Sequence, residues 1–214
     1  MADVTLVRVG AIAERQWGLF TAAQAVEAGV SAKQLTRLAS NGVIVRIVHG
    51  VYRVLGAPVT RHELTFAVWL SLGGADPRPG QVPAVVGAGT TAATLHGIGN
   101  WSPAAYDFIV PARKGTRLAG VRLRVRKLEP QDVTSVDQLP VLTLERTIAD
   151  LVEQRHDLEV VAAAAQEATD SGRRLDLAAL EDYLDPLAAR AKYKTGAALA
   201  RKLLDLTDTS EEDL

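Results

Sequence analysis

The chain of 214 residues has no cysteine, a single methionine and only 5% aromatic residues. The lack of cysteine excludes disulfide scaffolds, thiolate metal sites and cysteine nucleophiles. No run of 18 apolar residues occurs, so no segment reads as a transmembrane helix. The opening MADVTLVRVG lacks the apolar core of a signal peptide. The cytoplasm is the expected location, with no membrane partner. Catalytic spacings are missing too. His49, His62, His96 and His156 stand far apart, with no HExxH pattern. The glycines of GAGTTAATLHGIG fit neither GxGxxG nor a Walker A loop and read as a turn before a helix. His96 on that helix reads as a core or interface histidine rather than a base. Lys192, Lys194 and Lys202 do not follow a carboxylate by two, so the Glu-x-Lys of a metal-dependent nuclease is missing. No catalytic residue, metal site or cofactor is expected.

What is present is ordinary in bulk and uneven in arrangement. Hydrophobic residues make up 48% and charged residues 23%, with a net charge of −1. That composition suits a globular chain long enough for one large or two small domains. The charge is segregated. Residues 1–127 hold 15 Lys+Arg against 6 Asp+Glu, and residues 128–214 hold 9 against 19, giving +9 and −10. A basic first part points to a polyanionic partner.

Residues 18–54 carry the clearest pattern. Leu6, Val9 and Ile12 predict an initial helix. Thr21 caps a second, with Ala22, Ala25 and Val26 on its apolar face. Gly29 suits the left-handed turn that ends it. Ser31 caps a third helix, in which Leu35 and Leu38 point inward and Lys33, Gln34 and Arg37 outward. Gly42 stops that helix. Residues 43–48 and 51–54 form a hairpin turning at His49-Gly50. This is the order of a winged helix-turn-helix, which sets its last helix in a DNA major groove. Arg37 and Lys33 can read guanine, and Gln34 can pair with adenine. Ser31 and the helix start can hold a phosphate. Arg46, His49 and Arg53 can meet the backbone or minor groove. Between Glu27 and Glu63 there is no carboxylate side chain, which favours DNA over a protein contact.

The fold class expected is α+β: the winged helix over 1–60, then a mixed α/β domain with a small sheet and C-terminal helices over 61–206, then an acidic tail over 207–214. Residues 62–72 read as a buried helix, 73–83 as a loop, and 84–87, 106–111 and 121–128 as strands. VTSVDQLPVLT adds short strands. Thr90 or Thr91 caps a helix between the first two strands. Thr143 and Asp157 cap two later helices, Gly172 ends the second, and Pro186 starts a further one. Arg146 and Asp150 read as an i,i+4 ion pair, and other carboxylates of this part as solvated. The stretch 112–127 has seven cations and no acid: Arg113, Lys114, Arg117, Arg122, Arg124, Arg126 and Lys127. Its arginine-faced strand can lie along phosphates, form a solvated edge, or meet an acidic partner, the chain's own C-terminal helices included.

The segment GLFTAAQAVEAGVSAKQLTRLASNGVIVRIVHGVYRV resembles the N-terminal winged helix of the AbiEi antitoxins of type IV toxin–antitoxin systems. TTAATLHGIG, YDFIVPARKG, GVRLRVRKLEPQDV and LPVLTLERTIADL resemble later parts of that family in order. The resemblance spans roughly residues 5–155, and the last helices more loosely. It implies an antitoxin that neutralises a nucleotidyltransferase-like toxin and represses its own operon by binding promoter repeats. Lys33, Arg37, Arg46 and Arg53 match the basic positions of the winged helix. The alternative is a stand-alone transcription regulator whose C-terminal part binds a ligand or dimerises.

Overall fold

A computed structural model describes residues 2–75, 80–102 and 105–204. The expected tail over 207–214, and residues 76–79 of the expected loop, lie outside the described residues. The chain divides into two compact units. One comprises Met1–Arg78, Pro83–Val85 and Gly115–Ala119, and the other Pro79–Val82, Val86–Lys114 and Gly120–Leu214.

In the first unit, α1 (Ala2–Ala13), α2 (Ala22–Glu27) and α3 (Ala32–Ser40) surround a core of Val9, Phe20, Ala25, Leu35, Leu38 and Ile44. Each of the two short helices starts on a reciprocal cap. Thr21 accepts from the Gln24 N–H, and Ser31 from the Gln34 N–H, while each glutamine side chain reaches back to the backbone of its capping residue. Two orphan amides are satisfied at each start, so these six- and nine-residue helices do not rely on propensity alone. Gly29 makes the turn between them at φ +78°. The wing is a three-stranded antiparallel sheet in the order β1-β3-β2, of β1 (Leu19–Thr21), β2 (Ile44–Val48) and β3 (Val51–Val54). The sequence reading misses β1, because three residues carry no periodicity and their partner strand lies thirty residues on.

α4 (Glu63–Ser71) belongs to this unit and not to the second. Phe66 stacks on Trp17 at 4.0 Å between centroids, and Trp69 meets the same ring edge-on at 6.0 Å. The Trp69 indole donates to Val85 O at 2.8 Å. The boundary expected at residue 60 therefore falls inside a packed unit.

The second unit holds a five-stranded mixed sheet in the order β6-β5-β4-β8-β7. Its strands are β4 (Val86–Gly87), β5 (Tyr106–Val110), β6 (Val121–Val125), β7 (Val133–Val136) and β8 (Leu139–Leu142). Pairs β4/β8 and β5/β6 are parallel, and β4/β5 and β7/β8 antiparallel. Helices α5 (Gly89–His96), α6 (Leu144–Glu153), α7 (Leu158–Asp170), α8 (Leu177–Ala188) and α9 (Gly196–Leu204) share a core that includes Ile148, Leu151, Val161, Leu180, Leu184 and Leu199. Thr143 and Asp157 cap α6 and α7 as the sequence predicts, and Gly172 follows α7 at φ +78°.

Two expectations are corrected here. α5 starts at Gly89 after Ala88, not at a threonine, and its first N–H is taken by the Asp150 carboxylate at 2.9 Å. Pro186 does not begin a helix; it lies inside α8, whose buried Leu184, Leu187 and Ala188 continue one apolar face through it.

Candidate nucleic-acid interface

The outer face of α3 is the first candidate surface. Its inner face is fixed by Leu35 and Leu38, at most 4% exposed. The 3.6-residue period then sends Lys33 and Arg37 outward together, and both are exposed. They edge a shallow cavity of about 450 Å³ with Ser31 and Thr36. The hydroxyls of Thr36 and Ser40 turn back to the helix carbonyls Ala32 O and Thr36 O, each at 3.0 Å.

Gln34 does not share that freedom. Its Oε1 accepts from the Ser31 N–H at 2.8 Å and the Ser31 hydroxyl at 2.9 Å, and its Nε2 donates to Thr5 Oγ1 at 3.3 Å. Both ends of the amide are engaged, so bidentate adenine reading would break the cap. The Ser31 hydroxyl is held in the same cap.

On the wing, Arg46 and His49 are exposed and joined by a short hydrogen bond between Nη2 and Nδ1. Arg53 is different. It is an ion pair with Glu63 of α4 at 2.7 Å, both side chains only 16% exposed. The carboxylate missing from residues 28–62 is supplied just beyond that interval, so Arg53 anchors the wing rather than presenting itself to phosphates. Arg8, which carries no motif signal, donates from α1 to Gly29 O at 3.1 Å and leaves an exposed cation at the helix-turn-helix turn. Only the packing of α1 reveals it.

The basic stretch 112–127 does not act as one surface. Arg124 is drawn inward: its Nε donates to Asp107 at 3.0 Å and its Nη1 to Asp150 at 2.7 Å. Asp150 is 0% exposed and also accepts from Gly89 N and from Gln154 Nε2 at 3.0 Å. Burial works to raise the Asp150 carboxyl, yet hydrogen bonds and charge from Arg124 hold it below its usual range. Burial wins at Asp107, whose carboxyl is pushed up. Arg126 forms a two-pronged pair with Glu153 of α6, and that bond keeps the Glu153 carboxyl low. Lys127 pairs with Glu129 at 2.9 Å on the surface. The strand thus meets the chain's own helix α6, and Arg124 and Arg126 spend their guanidinium groups on internal carboxylates. Arg113, Lys114, Arg117 and Arg122 are exposed.

Arg146 does not bridge Asp150. It reaches Glu153 at 3.7 Å and lies over the Tyr183 ring at 5.2 Å. Tyr183 donates to Asp132 at 2.7 Å, and burial with that carboxylate pushes the phenol up to about 12. His96 is 6% exposed with Nε2 on Leu142 O at 2.8 Å, and burial lowers its pKa. It sits in the core, as the sequence suggests. Among the described residues no group of three or more His, Cys, Asp or Glu is placed to hold a metal ion, and no helix is long and apolar enough to cross a membrane.

Residues 8–55 match the sequence model described as a transcriptional regulator, AbiEi antitoxin, and residues 85–206 match the AbiEi antitoxin C-terminal domain. No curated protein matches the chain. The crystal structure of RV2827C protein from Mycobacterium tuberculosis is similar over 94% of this chain and 76% of that one, at 18% identity and a TM-score of 0.48.

Proposed function

The chain belongs to the AbiEi antitoxin family, and from that premise we propose that its first unit reads promoter repeats of its own operon while its second unit neutralises a nucleotidyltransferase-like toxin. The observation that supports the DNA half is the outer face of α3. It is a helix locked at its start and along its inner face, with Lys33 and Arg37 as its exposed cations. A rigid helix can place two cations on base edges or phosphates at little entropic cost. Arg46 and His49 at the wing tip are the backbone contacts of this reading. Arg113, Lys114 and Arg122 of the second unit and Arg117 of the first are exposed and can meet a phosphate or a partner protein. The activity is one of binding, with no catalytic residue assigned, and it is exercised in the cytoplasm.

The test separates the two halves. Lys33→Ala with Arg37→Ala should weaken binding to the operon's promoter fragment by about 1–3 kcal/mol per residue in a fluorescence anisotropy titration. The same variant, expressed from a foreign promoter, should still rescue growth from the cognate toxin. Unchanged promoter affinity would refute the α3 assignment. Lost rescue at normal protein level would refute the division between units.

A further inference from the structure

A cavity of about 550 Å³ opens within the second unit, where the ends of α6 and α8 meet the start of α7. Its size lies in the range of small-molecule sites. Its polar wall is Arg155, His156, Arg190 and Lys192, its floor includes Leu158 and Leu187, and no carboxylate is among the described lining residues. This occurs in the half of the chain that carries −10, so three cations with no carboxylate among the described lining residues are not the local norm.

The backbone makes a second, independent observation. Gly29, Gly42, Gly73, Gly97 and Gly172 follow α2, α3, α4, α5 and α7, all in the left-handed region. Glycine is the usual choice there because a side chain is disfavoured. At two places the chain puts a long cation in that conformation instead: Arg155 after α6, at φ +63°, and Lys192 at the short turn after α8, at φ +68°. Both line this cavity. A helix C-terminus favours a cation, and the last turns of α3, α5 and α9 carry Arg37, His96, Arg201 and Lys202, but among the described residues only Arg155 and Lys192 are cations in the left-handed conformation. Strained side-chain-bearing residues gather at binding sites. Arg190 spends one N–H on Glu153 O at 2.9 Å, which fixes it over the end of α6 with donors to spare. Burial holds the His156 imidazole below its usual value, and its ring meets Trp101 edge-on at 5.1 Å.

We propose that this cavity binds a nucleoside polyphosphate, its phosphates on Arg155, Arg190 and Lys192 and its base over Leu158 and Leu187. Guanidinium and ammonium groups supply the phosphate donors, and the apolar floor supplies the flat surface that a base needs. The site lies wholly within the second unit and does not depend on the DNA assignment.

The probes are ATP, inorganic tripolyphosphate and adenosine, titrated calorimetrically into the full chain at about 0.15 M salt. ATP should bind saturably at one site per chain, tripolyphosphate more weakly and adenosine weakest. Tryptophan fluorescence should change with the same midpoint as the ATP heat, and Trp101→Phe should remove that change. Arg155→Gly with Lys192→Gly removes both cations and keeps the backbone that glycine prefers. It should lower ATP affinity at least about tenfold, without lowering the melting temperature. No saturable ATP binding, or binding unchanged in that double variant, overturns the proposal. Tripolyphosphate binding as tightly as ATP overturns the placement of a base on the floor.

Discussion

Arg124→Met should destabilise the second unit by about 3–5 kcal/mol at neutral pH, the cost of removing one member of a buried ionic cluster. The magnitude follows from what is left behind. Asp150 has a side chain 0% exposed and Asp107 one 6% exposed, and both hold Arg124. Without the guanidinium, Asp150 keeps only the Gly89 and Gln154 N–H donors, and two carboxylates face each other out of water. The sign of the pH dependence follows. In the variant both folded-state carboxyls rise above their unfolded values, so the folded state binds more protons. Folding then gains as pH falls, and part of the loss, about 1–2 kcal/mol, should return between pH 7.5 and 5. In the parent Asp150 is depressed, so its stabilising contribution is present above the unfolded value and fades only as pH falls through the folded one. Urea unfolding of both proteins followed by circular dichroism at the two pH values measures this. Arg122→Met, on the same strand but exposed, is the control and should stay within about 0.5 kcal/mol of the parent. A loss under about 1 kcal/mol for Arg124→Met, or no recovery at pH 5, would refute the cluster's role.

Gln34→Ala should cost about 0.5–2 kcal/mol of stability through loss of the cap, while leaving the ranking of promoter sequences unchanged; a base preference that relaxes at one position in a binding-site selection would return Gln34 to DNA reading. Gly89→Ala should cost about 2–4 kcal/mol, because φ is +49° and the new Cβ would collide with the Asp107 carboxylate and the Gln154 amide; a thermal melt matching the parent would contradict the geometry.

The sequence is most readable where the physics is local. Capping by Thr21, Ser31, Thr143 and Asp157 involves residues two or three apart, so each start can be seen in a short window. The Gly29 turn and the hairpin at His49-Gly50 are local as well. The misses share a different cause. Gly89 is capped by a carboxylate 61 residues away. Arg124 of β6 and Arg126 just after it find acids 17, 26 and 27 residues away, two of those acids lying on α6. A row of cations looks solvent-facing until tertiary packing brings the carboxylates to it, and only one of the three readings left open for 112–127 allowed that. Arg53 likewise looks solvent-facing in the sequence because its acid lies ten residues on. On α3 the candidate face loses Gln34 and keeps Lys33 and Arg37, because a glutamine three residues after a serine cap serves the helix before it serves a ligand.

The packing of Phe66 and Trp69 against Trp17 bears on how such a gene can be rearranged. The recognisable motif stops near residue 55, which makes the following residues look like a free joint for recombination. A fusion made there would leave an aromatic face of the winged helix bare and strip Arg53 of its counter-ion. A stable graft of this unit is therefore expected only from breakpoints beyond α4, with that helix carried along.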